Sequence, residues 1–119
     1  MDISEVLNDV LSSADITSLL PNGKVYHLHV SDKPLKPYLE YEVVNDSGCF
    51  YSENKEDFRE YLVQIDLFSD KKNYYNIAKV VEEKMLNYGF NKDSNNPEFY
   101  EDDTRLYHKV LRFNISLPV

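Results

Sequence analysis

Several things are scarce in this sequence, and each shortage excludes a class of protein. There is one cysteine, Cys49, so neither an intramolecular disulfide nor a four-cysteine zinc site can form. There are three glycines, Gly23, Gly48 and Gly89. Each sits in turn or helix-end surroundings, whereas a phosphate-cradling loop needs several close together. The apolar runs are only a few residues long, too short to cross a membrane as a helix. The opening Met1-Asp2-Ile3-Ser4-Glu5 has no basic region leading into an apolar stretch, so no secretory signal is expected and synthesis is expected in a reducing, intracellular setting. Positive charge is scarce too: 13 Lys and Arg stand against 21 Asp and Glu, a net charge of −8. That balance opposes both a nucleic-acid groove and an anionic membrane surface.

What is present is an ordinary globular composition, 42% hydrophobic and 29% charged over 119 residues. One domain over residues 1–119 is expected, with a single core. Tryptophan is absent, but there are ten tyrosines and six phenylalanines. Large ring area therefore comes mostly with a hydroxyl attached, which suits half-buried surfaces and subunit contacts.

Periodicity sets out the elements. Ile3, Val6, Leu7, Val10 and Leu11 make one helical stripe, with Asp2 and Glu5 at capping-box spacing. Ile16, Leu19 and Leu20 extend it by a turn, and Pro21-Asn22-Gly23 ends it. A short strand is expected over Lys24 to His29, then an extended linker at Pro34 and Pro37. Leu39, Tyr41 and Val43 alternate with Tyr38, Glu40 and Glu42, the period of a half-buried strand. Asn45-Asp46-Ser47-Gly48 reads as a turn, and residues 49–57 as an irregular polar stretch. From about Phe58 to Phe68, Tyr61, Val63, Ile65 and Leu67 face one way and Gln64 and Asp66 the other. A second helix is expected over roughly Lys72 to Asn87, with Tyr74, Ile77, Ala78, Val81, Met85 and Tyr88 on its apolar face and Gly89 as its cap. After a polar loop over 91–97 and a short strand at Phe99-Tyr100, the chain closes with a strand from Leu106 to Leu117. The expected class is α+β: an antiparallel sheet with the N-terminal helix and a second helix packed on one face, and a long hairpin tip.

No strong catalytic constellation emerges. His27 and His29 lie two apart on an expected strand, hence on one face, and His108 could neighbour them. The spacing could offer imidazoles to a metal, but strand-face histidines need no metal, and no HxxxH, HExxH or cysteine partner accompanies them. No metal and no cofactor is expected. Cys49 is an isolated thiol with nothing in sequence to place a base beside it. Glu53, Glu56, Asp57 and Glu60 mix with Lys55 and Arg59, and Glu98, Glu101, Asp102 and Asp103 crowd before Arg105. Neither cluster has calcium-loop spacing, and such runs form solvated faces.

The order and wording of the elements carry more information. Pro37-Tyr38-Leu39-Glu40-Tyr41-Glu42-Val43 comes first. Arg59-Glu60-Tyr61-Leu62-Val63-Gln64-Ile65-Asp66-Leu67-Phe68 follows, then a helix over Asn73 to Met85. The end is Glu101-Asp102-Asp103-Thr104-Arg105-Leu106-Tyr107-His108-Lys109-Val110-Leu111-Arg112-Phe113. From about Ile3 to Ile115 this resembles the tail completion, or tail terminator, family of long-tailed bacteriophages, also called tail-to-head joining proteins. The resemblance rests on strand patterns and not on a catalytic signature.

The resemblance implies a non-enzymatic virion part, made in the bacterial host cytoplasm and located at the head-proximal end of the tail. It implies a homo-oligomeric ring, commonly of six copies, that stops tail-tube growth and presents the surface docking to the head connector. Its partners would be the tail tube protein and connector or adaptor proteins, with no specific nucleic-acid binding and no membrane. An acidic balance suits a lumen through which DNA passes. Another head–tail connector, adaptor, minor tail or capsid part is the alternative. A small metal-binding domain using His27, His29 and His108, and an acidic inhibitor of a basic partner, are further readings of the residues. Partner contacts are expected at Phe50, Tyr51 and Ser52, where aromatics sit among charges, and at Tyr100, Glu101 and Asp102. Phe50 and Tyr51 would equally serve by folding back on their own sheet.

Overall fold

The computed structural model describes residues 2–30, 34–53, 55–72 and 74–119, with the backbone alone at 49–52. Helix α1 spans Ile3–Leu11 and buries Val6, Leu7, Val10 and Leu11, the expected stripe. Asp2 caps it: its carboxylate accepts from the Glu5 N–H at 2.9 Å. A short helix α2, Ala14–Thr17, buries Ile16. The chain then turns at Gly23, whose φ of 64° is the left-handed geometry that the expected stop requires.

A mostly antiparallel sheet follows, from β1 (Tyr26–His27), β2 (Tyr38–Ser52), β3 (Lys55–Ser69), β4 (Asn91–Lys92), β5 (Glu98–Glu101) and β6 (Leu106–Pro118). The order is β1-β2-β3-β6-β4, with β5 also on β6. Two expectations need correction here. The first strand is two residues long and pairs parallel to β2, Tyr26 opposite Glu40 and His27 opposite Tyr41. The turn expected at Asn45 to Gly48 and the irregular stretch after it are strand instead: β2 and β3 stay paired as far as Ser52 opposite Lys55. The turn-forming residues become a register shift between Val43 and Asn45, a bulge inside a long arm. Arg59 helps to hold that arm, reaching Asp46 at 3.1 Å and Glu56 at 2.9 Å.

Helix α3, Tyr75–Tyr88, begins three residues later than expected. The Ser69 hydroxyl accepts from the Lys71 N–H and donates to the Lys71 carbonyl, which makes a local turn in place of a first helical turn. Its C-terminus is a Schellman motif: Gly89 N–H donates to the Leu86 carbonyl and Phe90 N–H to Met85. Met85 and Phe90 are both buried, whereas Tyr88, expected on the apolar face, is exposed. Asn91-Lys92, expected as loop, is recruited by β6 as β4. Asn96 fills the gap along the same edge before β5, its side-chain oxygen accepting from the Arg112 N–H at 2.8 Å.

One sheet face carries Leu39, Val63, Ile65, Leu67, Leu111, Phe113 and Ile115 into a core shared with all three helices. Full burial of each such large side chain contributes roughly 1.5–3 kcal/mol. The molecule is elongated, 52 × 28 × 25 Å, with a radius of gyration of 15.3 Å. A compact chain of this length would have about 13–14 Å. The β2–β3 arm accounts for the difference. No helix among the described residues is long and apolar enough to cross a membrane.

Candidate functional site

Strand alternation sends Tyr38, Glu40, Gln64, Asp66, Phe68, His108 and Arg112 to the sheet face opposite the helices. Five rings form a ladder there, one from each of five strands. Tyr26 meets Tyr38 edge-on at 6.5 Å between centroids, Tyr38 stacks on Phe68 at 5.0 Å, Phe68 on His108 at 4.2 Å, and Phe99 abuts His108 at 4.5 Å. A polar chain runs alongside. Arg112 Nε donates to Gln64 Oε1 at 2.9 Å, and Gln64 Nε2 donates to Asp66 Oδ1 at 3.0 Å. Asp66 Oδ1 lies 2.7 Å from His108 Nε2, and His108 Nδ1 lies 3.3 Å from Glu101 Oε2. Burial alone would lower the His108 pKa, but Asp66 and Glu101 together outweigh it and raise the pKa above the ordinary 6.5. The Tyr38 hydroxyl is pushed up by burial, then by Glu40 and Glu101.

The three histidines do not come together as one site. Leu28 has φ 65°, which breaks the strand alternation between His27 and His29. His27 stacks on Tyr41 at 5.0 Å, while His29 Nδ1 lies 3.1 Å from Glu40. Glu40 and Tyr41 are successive strand residues, so the two imidazoles serve opposite faces. Among the described residues no three His, Cys, Asp or Glu side chains gather as metal ligands.

On the helix side, a second arrangement forms between the N-terminus of α3 and the β5–β6 pair. Four tyrosine rings run in series: Tyr75 on Tyr74 at 4.7 Å, Tyr74 beside Tyr107 at 6.1 Å, and Tyr107 edge-on to Tyr100 at 5.0 Å. The first two of them hold the carboxylate of Glu98, whose cross-strand partner on β6 is Lys109. Tyr74 donates to its Oε2, and the Tyr75 hydroxyl lies 2.9 Å from Oε1 and 2.8 Å from Oε2. Hydrogen bonds from Tyr74 and then Tyr75 hold the Glu98 pKa below the ordinary carboxylate value. Burial and the Glu98 hydrogen bond drive the Tyr74 hydroxyl strongly upward, so it stays protonated. These groups, with Lys72 and Phe99, line an open cleft of about 320 Å³. Tyr75, Phe99 and Tyr100 are exposed by 56%, 47% and 46%, which makes this an aromatic patch and not a core.

Of the residues expected to meet partners, Tyr100 stands in this exposed patch and Asp102 in an exposed turn. Glu101 is turned inward, holding Thr104 at 2.9 Å as well as His108. Phe50, Tyr51 and Ser52 lie near the tip of the arm, in β2; their side chains are outside the described residues. Nothing local in the sequence marks Tyr75 and Glu98 as partners in one cleft. The only sequence signal was the unusual tyrosine count. No protein-family model matches the chain, and no curated protein matches it.

Proposed function

We propose that the chain is a non-enzymatic part of a long phage tail. It is a tail completion protein that caps the head-proximal end of the tail tube, ends tube growth and forms the head-docking surface. The observation that carries this reading is the pairing of a small α+β body with a long β2–β3 arm, in the element order that resembles that family. An arm of paired strands can reach a neighbouring subunit, and a heterologous contact of that kind closes into a ring when the rotation per subunit does. The exposed aromatic patch at Tyr75, Phe99 and Tyr100 gives the body a second contact surface. A ring of six copies around a DNA-passing lumen follows from the reading, with tail tube and connector proteins as partners.

The test is tube growth. Purified tail tube protein is polymerised with and without this chain, tube lengths are measured by negative-stain electron microscopy, and free protein is followed by native mass spectrometry. Expected are shortened tubes with a ring on one end. Unchanged tube lengths, with the protein absent from the ends, would overturn the proposal.

A further inference from the structure

Along the arm, the outer side of β2 carries no neighbouring strand among the described residues. We propose that this edge pairs with the same edge of a second copy, the two β2 strands running antiparallel about a two-fold axis, so that the free chain forms a dimer with one continuous sheet. The inference concerns the free chain and does not rest on the tail reading.

β1 covers β2 only at Glu40 and Tyr41. Leu28 donates its N–H to the Tyr41 carbonyl at 2.7 Å and then turns the chain away at φ 65°. The Val30 N–H goes to the Glu40 carboxylate at 2.7 Å and not to a strand. From Glu42 to Ser52 no described residue pairs with the outer side of β2, which leaves a row of backbone donors and acceptors that a further strand can take up. The far margin of the sheet is covered instead: β5, the Pro97 carbonyl, Asn96 and β4 occupy β6 from Leu106 to Asn114. Edge strands are ordinarily blunted by lysine or proline, and β2 has neither, nor any arginine. Its one bulge lies between Val43 and Asn45, and Asn45 to Ser52 keep a constant register with β3.

The occupant follows from length and sequence. An edge over residues 42–52 needs a matching edge, and the other strands at the sheet margins are short: β1 and β4 have two residues, β5 has four, and β6 runs four past β4. Among the described residues, only β2 of a second copy matches it. Antiparallel ladders alternate two kinds of residue pair, so a two-fold axis falls on a pair and not between pairs. Centred on Ser47, the register of fullest overlap sets Val43 opposite Tyr51 and Val44 opposite Phe50, β-branched against aromatic, a favoured cross-strand combination. The acidic residues fall opposite neutral ones, Glu42 opposite Ser52 and Asp46 opposite Gly48. Centred one residue earlier, Asp46 would face its own copy.

The experiment uses the full chain. Native mass spectrometry over a wide concentration range should show monomer and dimer alone. Hydrogen exchange at high concentration should protect amides between Glu42 and Ser52 that exchange freely at low concentration. Ser47 is exposed, so its substitution leaves the core of the monomer alone. Ser47→Lys and Ser47→Glu each set like charges opposite one another at the axis, and each should weaken the dimer about tenfold or more. Mixing the two variants sets lysine opposite glutamate and should restore a mixed dimer. The inference is overturned if the chain stays monomeric at every concentration, or if a dimer forms that both variants leave intact. Protection of the same amides only after tail tube protein is added would overturn it too, and give the edge to a partner's strand. A closed ring with no dimer would overturn it while leaving the tail reading standing. The exchange comparison on the unaltered chain decides the matter even if a variant folds poorly.

Discussion

His108 Nε2 lies 2.7 Å from Asp66 Oδ1, while its other ring nitrogen faces Glu101 at 3.3 Å. A neutral imidazole has one N–H and can satisfy one of these carboxylates; only the imidazolium donates to both. The ring is also held between Phe68 and Phe99, with Tyr38 and Glu40 beyond Phe68 and Asp66 on β2. The cation therefore ties β5 to the central strands β3 and β6.

That geometry fixes a pH dependence. The folded-state pKa of His108 is raised, so its contribution is complete below the unfolded value near 6.5 and is lost as pH rises through the higher folded value. His108→Phe keeps a ring between Phe68 and Phe99 and removes the charge. Urea midpoints measured across that range should fall with rising pH in the unaltered chain relative to the variant. Parallel pH profiles for the two proteins would show that the imidazolium contributes nothing.

Gly89 ends α3 with φ 125°, well outside the range that side chains tolerate. A Cβ placed there meets nothing within 4 Å. Any cost of Gly89→Ala is thus backbone strain alone, and should be about 1–3 kcal/mol. Gly89→Ser should cost about the same, because no neighbour distinguishes the two side chains. Chemical denaturation checks both, and a much larger loss for serine would mean that steric crowding, not φ, sets the cost.

The elements legible in sequence were those whose signal is local. Val6, Leu7, Val10 and Leu11 recur at helical spacing, and the alternation from Tyr61 to Leu67 sorts the two sheet faces correctly. The long hairpin was legible as a pairing of the two strands, but how far its strands run was not, because Asn45 to Gly48 have strong turn preferences that pairing with Arg59 to Leu62 overrides. The cleft was half legible. Tyr100 stood out as an aromatic among charges, but its partnership with Tyr75 and Glu98 arises only when the start of α3 packs beside β5, more than twenty residues along the chain. The histidine pair failed for a smaller reason: one residue, Leu28, takes a positive φ that no alternation rule anticipates.

The two tyrosine hydroxyls on Glu98 should be separable by titration. Tyr74 contributes most to the lowering of its pKa and Tyr75 next. Phenylalanine at either position keeps the ring and deletes one donor. Tyr74→Phe should raise the Glu98 pKa, followed by carboxyl-carbon NMR, more than Tyr75→Phe does, and the double variant should raise it most. Because the folded value is lowered, the stability that Glu98 provides is present above the ordinary carboxylate range and disappears as pH falls through the folded value. The Tyr74→Phe chain should accordingly lose less stability than the unaltered chain between neutral and acid pH. If Tyr75→Phe produced the larger rise, the exposed hydroxyl and not the buried one would be the main partner of the carboxylate.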